Sequence, residues 1–218
     1  MSTISDLRPG DIGFGPLNTK AARLLVDAGQ LLLGEGFRVG ALRIEHVFVV
    51  TTEALSATHD YEGSDPVIVE AMPGGACKTM MTGRWTDEYA YVRIPEDYAG
   101  QGQDAAAIAR AMIGTPYSFA SYAALAAWRF GMRTSKLEKW INRRKPFVPL
   151  DLHDPNREQP DMVALPAEAI CSVLADQAWS LTGKQIMHGV AHQCVTPGAL
   201  AARLLEMPGA QWFWPGRD

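Results

Sequence analysis

The sequence predicts an α+β domain, and three observations carry that reading. A short strand and an amphipathic helix open the chain, a series of β-branched and aromatic segments follows, and helical patterns fill much of the second half. Strands gathered before helices, rather than alternating with them, favour a small antiparallel sheet packed on helices. The 218 residues, 47% hydrophobic and 20% charged, suit one domain able to bury a real core.

The elements follow in order. Arg8-Pro9-Gly10 makes a turn, and Asp11-Ile12-Gly13-Phe14 a short strand. Asn18 or Thr19 caps a helix whose apolar positions Ala22, Leu25, Val26, Leu32 and Leu33 recur at helical spacing, and Gly34 and Gly36 end it. Arg43 to Thr51 reads as a strand rich in β-branched and aromatic residues. A polar loop from Ala57 to Pro66 leads to a strand over Val67 to Ala71, and Pro73-Gly74-Gly75 turns the chain again. Cys77 to Thr82 and Glu88 to Ile94 are two further strands, expected to complete an antiparallel meander.

Ala105 to Ile113 is a helix stopped by Gly114, and Pro116-Tyr117-Ser118-Phe119 turns into another over Ala120 to Arg129. The texture then changes. A basic helix, Ser135 to Arg144, precedes a stretch with Pro146, Pro149, Pro155 and Pro160. We expect a surface insertion or lid over 133–162 on a single domain spanning 1–218. Cys171 to Trp179 is apolar and helical. Thr196-Pro197 opens a last helix to Leu205, with proline in its first turn. The aromatic tail, Gln211 to Trp214, is placed to dock as a clasp.

Bulk properties exclude several functions. A net charge of -4 offers nothing to nucleic acid or to an anionic membrane as a whole. Cys77, Cys171 and Cys194 are odd in number and widely spaced, which fits free thiols better than a disulfide framework. The opening residues carry neither a basic start nor an apolar core, and no apolar run reaches the roughly 20 residues that span a bilayer. A cytoplasmic or phage-associated protein, without signal peptide or transmembrane segment, is the expectation.

Three residues carry candidate chemistry. Cys171 opens a helix after a loop, and a helix N-terminus favours a thiolate through its partial positive charge and unpaired N–H groups. The same N–H groups suit an oxyanion. A lone cysteine, however, is more often a small buried hydrophobe. His46 interrupts an apolar strand, as either a satisfied core histidine or a base held rigidly by the sheet. Glu70 ends the run Val67-Ile68-Val69, where a carboxylate is costly unless paired. On a strand next to that of His46 it would fix the imidazole tautomer; otherwise it is an ordinary acid facing water.

Taken in sequence, Gly10-Asp11-Ile12-Gly13-Phe14, Glu45-His46-Val47, Val69-Glu70-Ala71, Gly114-Thr115-Pro116-Tyr117-Ser118-Phe119, Ile170-Cys171-Ser172 and Val195-Thr196-Pro197 resemble the circularly permuted NlpC/P60 families. These are papain-like folds in which the histidine strand precedes the cysteine helix, and they include the YiiX-like hydrolases and the lecithin retinol acyltransferase group. The resemblance covers Arg8 to about Leu205. It implies a papain-like core, Cys171 as nucleophile, His46 as base, Glu70 as the polar residue that orients it, and Tyr117 lining the substrate pocket. No cofactor is implied. The implied reaction is hydrolysis or acyl transfer at an amide or ester bond of a cell-wall peptide or lipid-type substrate, through a thioester acyl-enzyme. Ser172-Val173-Leu174 departs from the Ser-Glu-Leu that often follows the family cysteine, and the 133–162 insertion has no counterpart.

Competing readings remain. His188 and His192 are one helical turn apart with Cys194 close by, a weak zinc pattern that lacks a fourth ligand and a glutamate after His188. Arg143, Arg144 and Lys145 form a basic patch, either a solvated helix face or a contact for an anionic surface. The whole fold is also compatible with a non-catalytic binding or structural module, for instance in a phage particle or a secretion apparatus.

Overall fold

The structure, a computed structural model, describes residues 4–17, 23–24, 26–27, 30, 38–39, 42–51, 66–81, 84–95, 100–118, 147–150, 161–166, 168–189 and 195–215. Among them the elements run β1 (Ile12–Gly15), β2 (Arg38–Val39), β3 (Leu42–Arg43), β4 (His46–Val50), β5 (Val67–Met72), β6 (Gly75–Met80) and β7 (Ala90–Arg93). They continue with α1 (Gln101–Ala111), β8 (Phe147–Leu150), β9 (Asp161–Ala164), α2 (Cys171–Ser180), α3 (Pro197–Leu205) and β10 (Gln211–Phe213). The α+β class is therefore observed. Arg23, Leu24, Val26, Asp27 and Gln30 are helical, as the amphipathic pattern requires. The proposed caps Asn18 and Thr19, the polar loop expected from Ala57 up to Pro66 and the helices expected over 120–129 and 135–144 lie outside the described residues, Pro66 excepted.

β4 is apolar along most of its length and buried at all five positions, so it needs strands on both edges and cover on both faces. It has them. The main sheet runs β10-β7-β1-β4-β5-β6, antiparallel throughout. The expected meander holds from β4 to β6 but not beyond it. β7 crosses to the far side of β1, and β10 adds outside β7. The reason is burial: Ala90, Tyr91 and Val92 are fully buried, whereas β6 alternates between half-buried and exposed residues from Cys77 onward and stays at an edge. The tail docks as a strand, with Trp212 opposite Val92 and Phe213 opposite Tyr91.

The two faces of the sheet differ. Ile12, Phe14, Val47, Val49, Val69, Ala90 and Val92 face α1, α2 and α3, and meet Ile108, Leu174, Ala178, Leu200 and Leu204 in the main core. The other face carries a smaller cluster of Leu7, Phe48, Val50, Ile68, Met81, Tyr89 and Tyr91, with Trp85 and Phe213 against it. Gly13 and Gly15 make room for its rings. A Cβ at Gly13 would lie 2.1 Å from the Phe48 ring, and one at Gly15 2.2 Å from the Tyr89 ring.

The insertion expected over 133–162 is described only in part. β8 and β9 pair antiparallel, and the chain returns to the main core through Val163 of β9 and Leu165 just after it.

Candidate active site

His46 is the first residue of β4 and pairs with Gly15 of β1. Strand alternation places it on the same face as Phe48, whose cross-strand partner is Glu70. Glu70 is thus the diagonal neighbour of His46, within side-chain reach. The contact is made: His46 Nε2 lies 2.6 Å from Glu70 Oε2. The second carboxylate oxygen, Oε1, accepts a hydrogen bond from Arg84 Nη2 at 2.9 Å, and the Thr79 side chain also bonds Glu70.

Cys171 is the first residue of α2. Ile170 precedes it in extended conformation, and no side chain caps the helix. The first intrahelical bond runs from Leu174 N–H to the Ile170 carbonyl, so the N–H groups of the first turn have no partner within the helix. Three sets of bonds fix the helix, two of them at this end. Ala169 N–H donates to the Pro116 carbonyl and the Ala169 carbonyl accepts from Ser118 N–H, at 3.0 and 3.1 Å. Ser172 Oγ donates to the Val195 carbonyl at 2.6 Å. Trp179, near the other end of the helix, donates Nε1–H to the Gly10 carbonyl at 3.0 Å.

The Cys171 side chain lies within interaction range of His46 and raises its pKa. Glu70 already occupies Nε2, so Nδ1 is the ring nitrogen left for sulfur. Cys171, His46 and Glu70 are each only 2% exposed. Burial by itself would strip the proton from the imidazole. The hydrogen bonds and charges of Cys171 and Glu70 outweigh it and push the His46 pKa up from 6.5 to about 9. Burial likewise pushes the Glu70 carboxyl up, but its bond to His46, the charges of His46 and Arg84 and the Thr79 bond leave it lowered overall. The site therefore sets a carboxylate held ionised beside an imidazole that keeps its proton, with the Cys171 sulfur on the other side of the ring.

Tyr117 forms a parallel bridge with Ala169, two residues before Cys171, and packs half-buried against the main core. It borders the thiol segment. Arg84 was not singled out in the sequence, where it falls between the two strands expected over Cys77 to Thr82 and Glu88 to Ile94. Its carbonyl accepts from Tyr91 Oη at 2.5 Å, and its guanidinium carbon lies 5.4 Å from the centre of the Phe48 ring. Glu45, beside His46, is also fully buried. It accepts from Leu17 N–H at 2.9 Å and pairs with Arg43 at 2.6 Å.

His188 is exposed, while His192, Cys194, Arg143, Arg144 and Lys145 lie outside the described residues. Among the described residues no three His, Cys, Asp or Glu side chains group so as to hold a metal ion. None of the described helices is long and apolar enough to cross a membrane. A cavity of about 300 Å³ lined by Arg8, Arg93, Ile94, Pro95, Gly209 and Gln211 shares no residue with the site. No known family model and no curated protein matches the chain.

Proposed function

We propose that the chain is a cysteine hydrolase or acyltransferase with a circularly permuted, papain-like NlpC/P60 core, acting on an amide or ester carbonyl of a peptide or lipid-type substrate. One observation carries the reading: a single buried imidazole bonded to Glu70 and within interaction range of Cys171. Three distant segments converge there, and a satisfied core histidine needs only one of those partners.

The reaction follows from the arrangement. The thiol proton passes to His46, whose imidazolium Glu70 stabilises. The thiolate attacks the carbonyl carbon, and the first-turn N–H groups of α2 hold the oxyanion of the tetrahedral intermediate. Collapse breaks the bond to the amine or alcohol, which leaves with the proton of His46. Water or another acceptor, deprotonated by His46, then releases the acyl group from sulfur. Tyr117, bridged to the thiol segment, would line the acyl or peptide pocket.

The test is selective alkylation. Iodoacetamide at pH 7, with labelled sites mapped by mass spectrometry, should modify Cys171 well ahead of Cys77, and His46→Ala should slow that labelling at least about tenfold. Equal, slow labelling of the cysteines would sink the hydrolase reading. It would support a binding or structural module instead, the reading that the near-complete burial of Cys171, His46 and Glu70 favours.

A further inference from the structure

Glu70 spends its two oxygens on two cations. Oε2 meets His46 Nε2 and Oε1 meets Arg84 Nη2, at 2.6 and 2.9 Å. Both contacts are buried, with 2% exposure for the Glu70 side chain and 11% for that of Arg84. Arg84 is itself held from two sides, by the Tyr91 hydroxyl on its carbonyl and by the Phe48 ring beneath its guanidinium. A buried arginine with one carboxylate partner, fixed by two aromatic residues of the small cluster, is an expensive arrangement for packing alone.

We propose that Arg84 is a positioning residue of the site: by gripping the far oxygen of Glu70 it fixes the near oxygen on His46, and by sharing the carboxylate charge it limits how firmly the imidazole keeps its proton. This rests on the Cys171–His46–Glu70 reading and extends it. An imidazolium facing an undivided carboxylate and a thiolate would be a strong ion-pair partner but a reluctant acid toward the leaving group. Splitting the carboxylate between two cations weakens its hold on one of them.

The groups that face this relay come from several elements. Cys171 of α2 and Glu70 of β5 face the imidazole. His46, Arg84 and the Thr79 hydroxyl face Glu70. The Tyr89 phenol, within electrostatic reach of Glu70 and Arg84, is held neutral, its pKa raised by burial. Arg84 is the permanent cation bonded to the Glu70 carboxylate.

The experiment is ring-nitrogen NMR of ¹⁵N-histidine-labelled full-length protein, with the His46 signal assigned from its loss in His46→Gln. Arg84→Gln keeps an N–H donor for Glu70 but removes the charge. In that variant the His46 midpoint should move up by about half a pH unit or more, a roughly threefold gain in proton affinity. Arg84→Lys, which keeps the charge, should restore the wild-type midpoint. A role confined to packing would lower thermal stability and leave the midpoint in place. An unchanged or lowered midpoint in Arg84→Gln, or an equal shift in Arg84→Lys, overturns the proposal. If Arg84→Gln does not fold, wild-type protein labelled with ¹⁵N-arginine still decides, because the Arg84 guanidinium signals should titrate with the His46 midpoint; no response there overturns the proposal too. Alkylation of wild-type Cys171 tests the hydrolase reading separately, so the two can fail independently.

Discussion

The two faces of the sheet are built on different principles. The helix-covered face is a continuous apolar core, with Val47, Val49 and Val69 against Leu174 and Ala178. The opposite face has fewer apolar side chains, more of them aromatic, and those rings surround a chain of charged groups running from Arg84 through Glu70 to His46. The first face holds the chain together by removing area from water. The second spends part of that stability on buried ions held in one geometry. His46 joins them: it begins β4 on the charged face, yet its sulfur partner belongs to the helix layer. The lesson is that a strand rigidly fixed on one side can present a buried electrostatic arrangement on the other.

Substitutions should break this contrast in a definite order. Leu174→Ala on the helix-covered face, at a fully buried position, should cost about 2–5 kcal/mol in a urea melt, from lost transfer energy plus the cavity. Gly13→Ala on the charged face should cost less, about 1–3 kcal/mol, because the Phe48 ring has to move aside. It should also shift the His46 titration, which Leu174→Ala should leave in place, since Phe48 lies beside both His46 and Arg84. A shift in Leu174→Ala but not in Gly13→Ala would erase the distinction.

The next effect is a slope rather than a step. His46 holds its proton more tightly folded than unfolded, with its pKa raised from 6.5 to about 9. Its stabilising contribution is therefore complete below pH 6.5 and is lost as pH rises through about 9. Urea midpoints measured from pH 6 to 10 should fall over that interval, and His46→Gln should flatten the fall. Glu70, whose pKa is lowered, acts at the other end: its contribution is present above 4.5 and is lost as pH falls below that value. Smallest of all should be Met80→Lys, on the half-exposed edge of β6. A thermal melt should find it within about 0.5 kcal/mol of wild type, and a larger loss would mean that this edge is covered.

Much of this was legible from residue patterns, for identifiable reasons. The strands carrying His46 and Glu70 are dense in Val, Ile and Phe, so a polar residue in them stands out, although Glu70 lies inside β5 rather than at its end. Cys171 announces itself by following a loop and preceding helical spacing. Arg84 carries no such signal, because its significance lies in a bond to a strand 14 residues away along the chain. Strand order was also hidden. Nothing local to Ala90–Arg93 says that it pairs with β1 rather than β6; the choice is made by competition for burial. The first turn of α1 was missed as well. The helix starts at Gln101, not Ala105, with Gly100 at its cap in a left-handed conformation, and Gly100 and Gly102 disguise the start as a loop.

The bridge between Tyr117 and Ala169 has a consequence for how the Cys171 helix is held. The backbone departs at Ser118 and comes home at Ala169, joined there by paired amide bonds. The two ends of the intervening span therefore lie side by side, and Val163 and Leu165, close to its return, pack in the main core. The start of the Cys171 helix is thus anchored by this junction and by the core around it, whatever the length of chain that runs between the two ends.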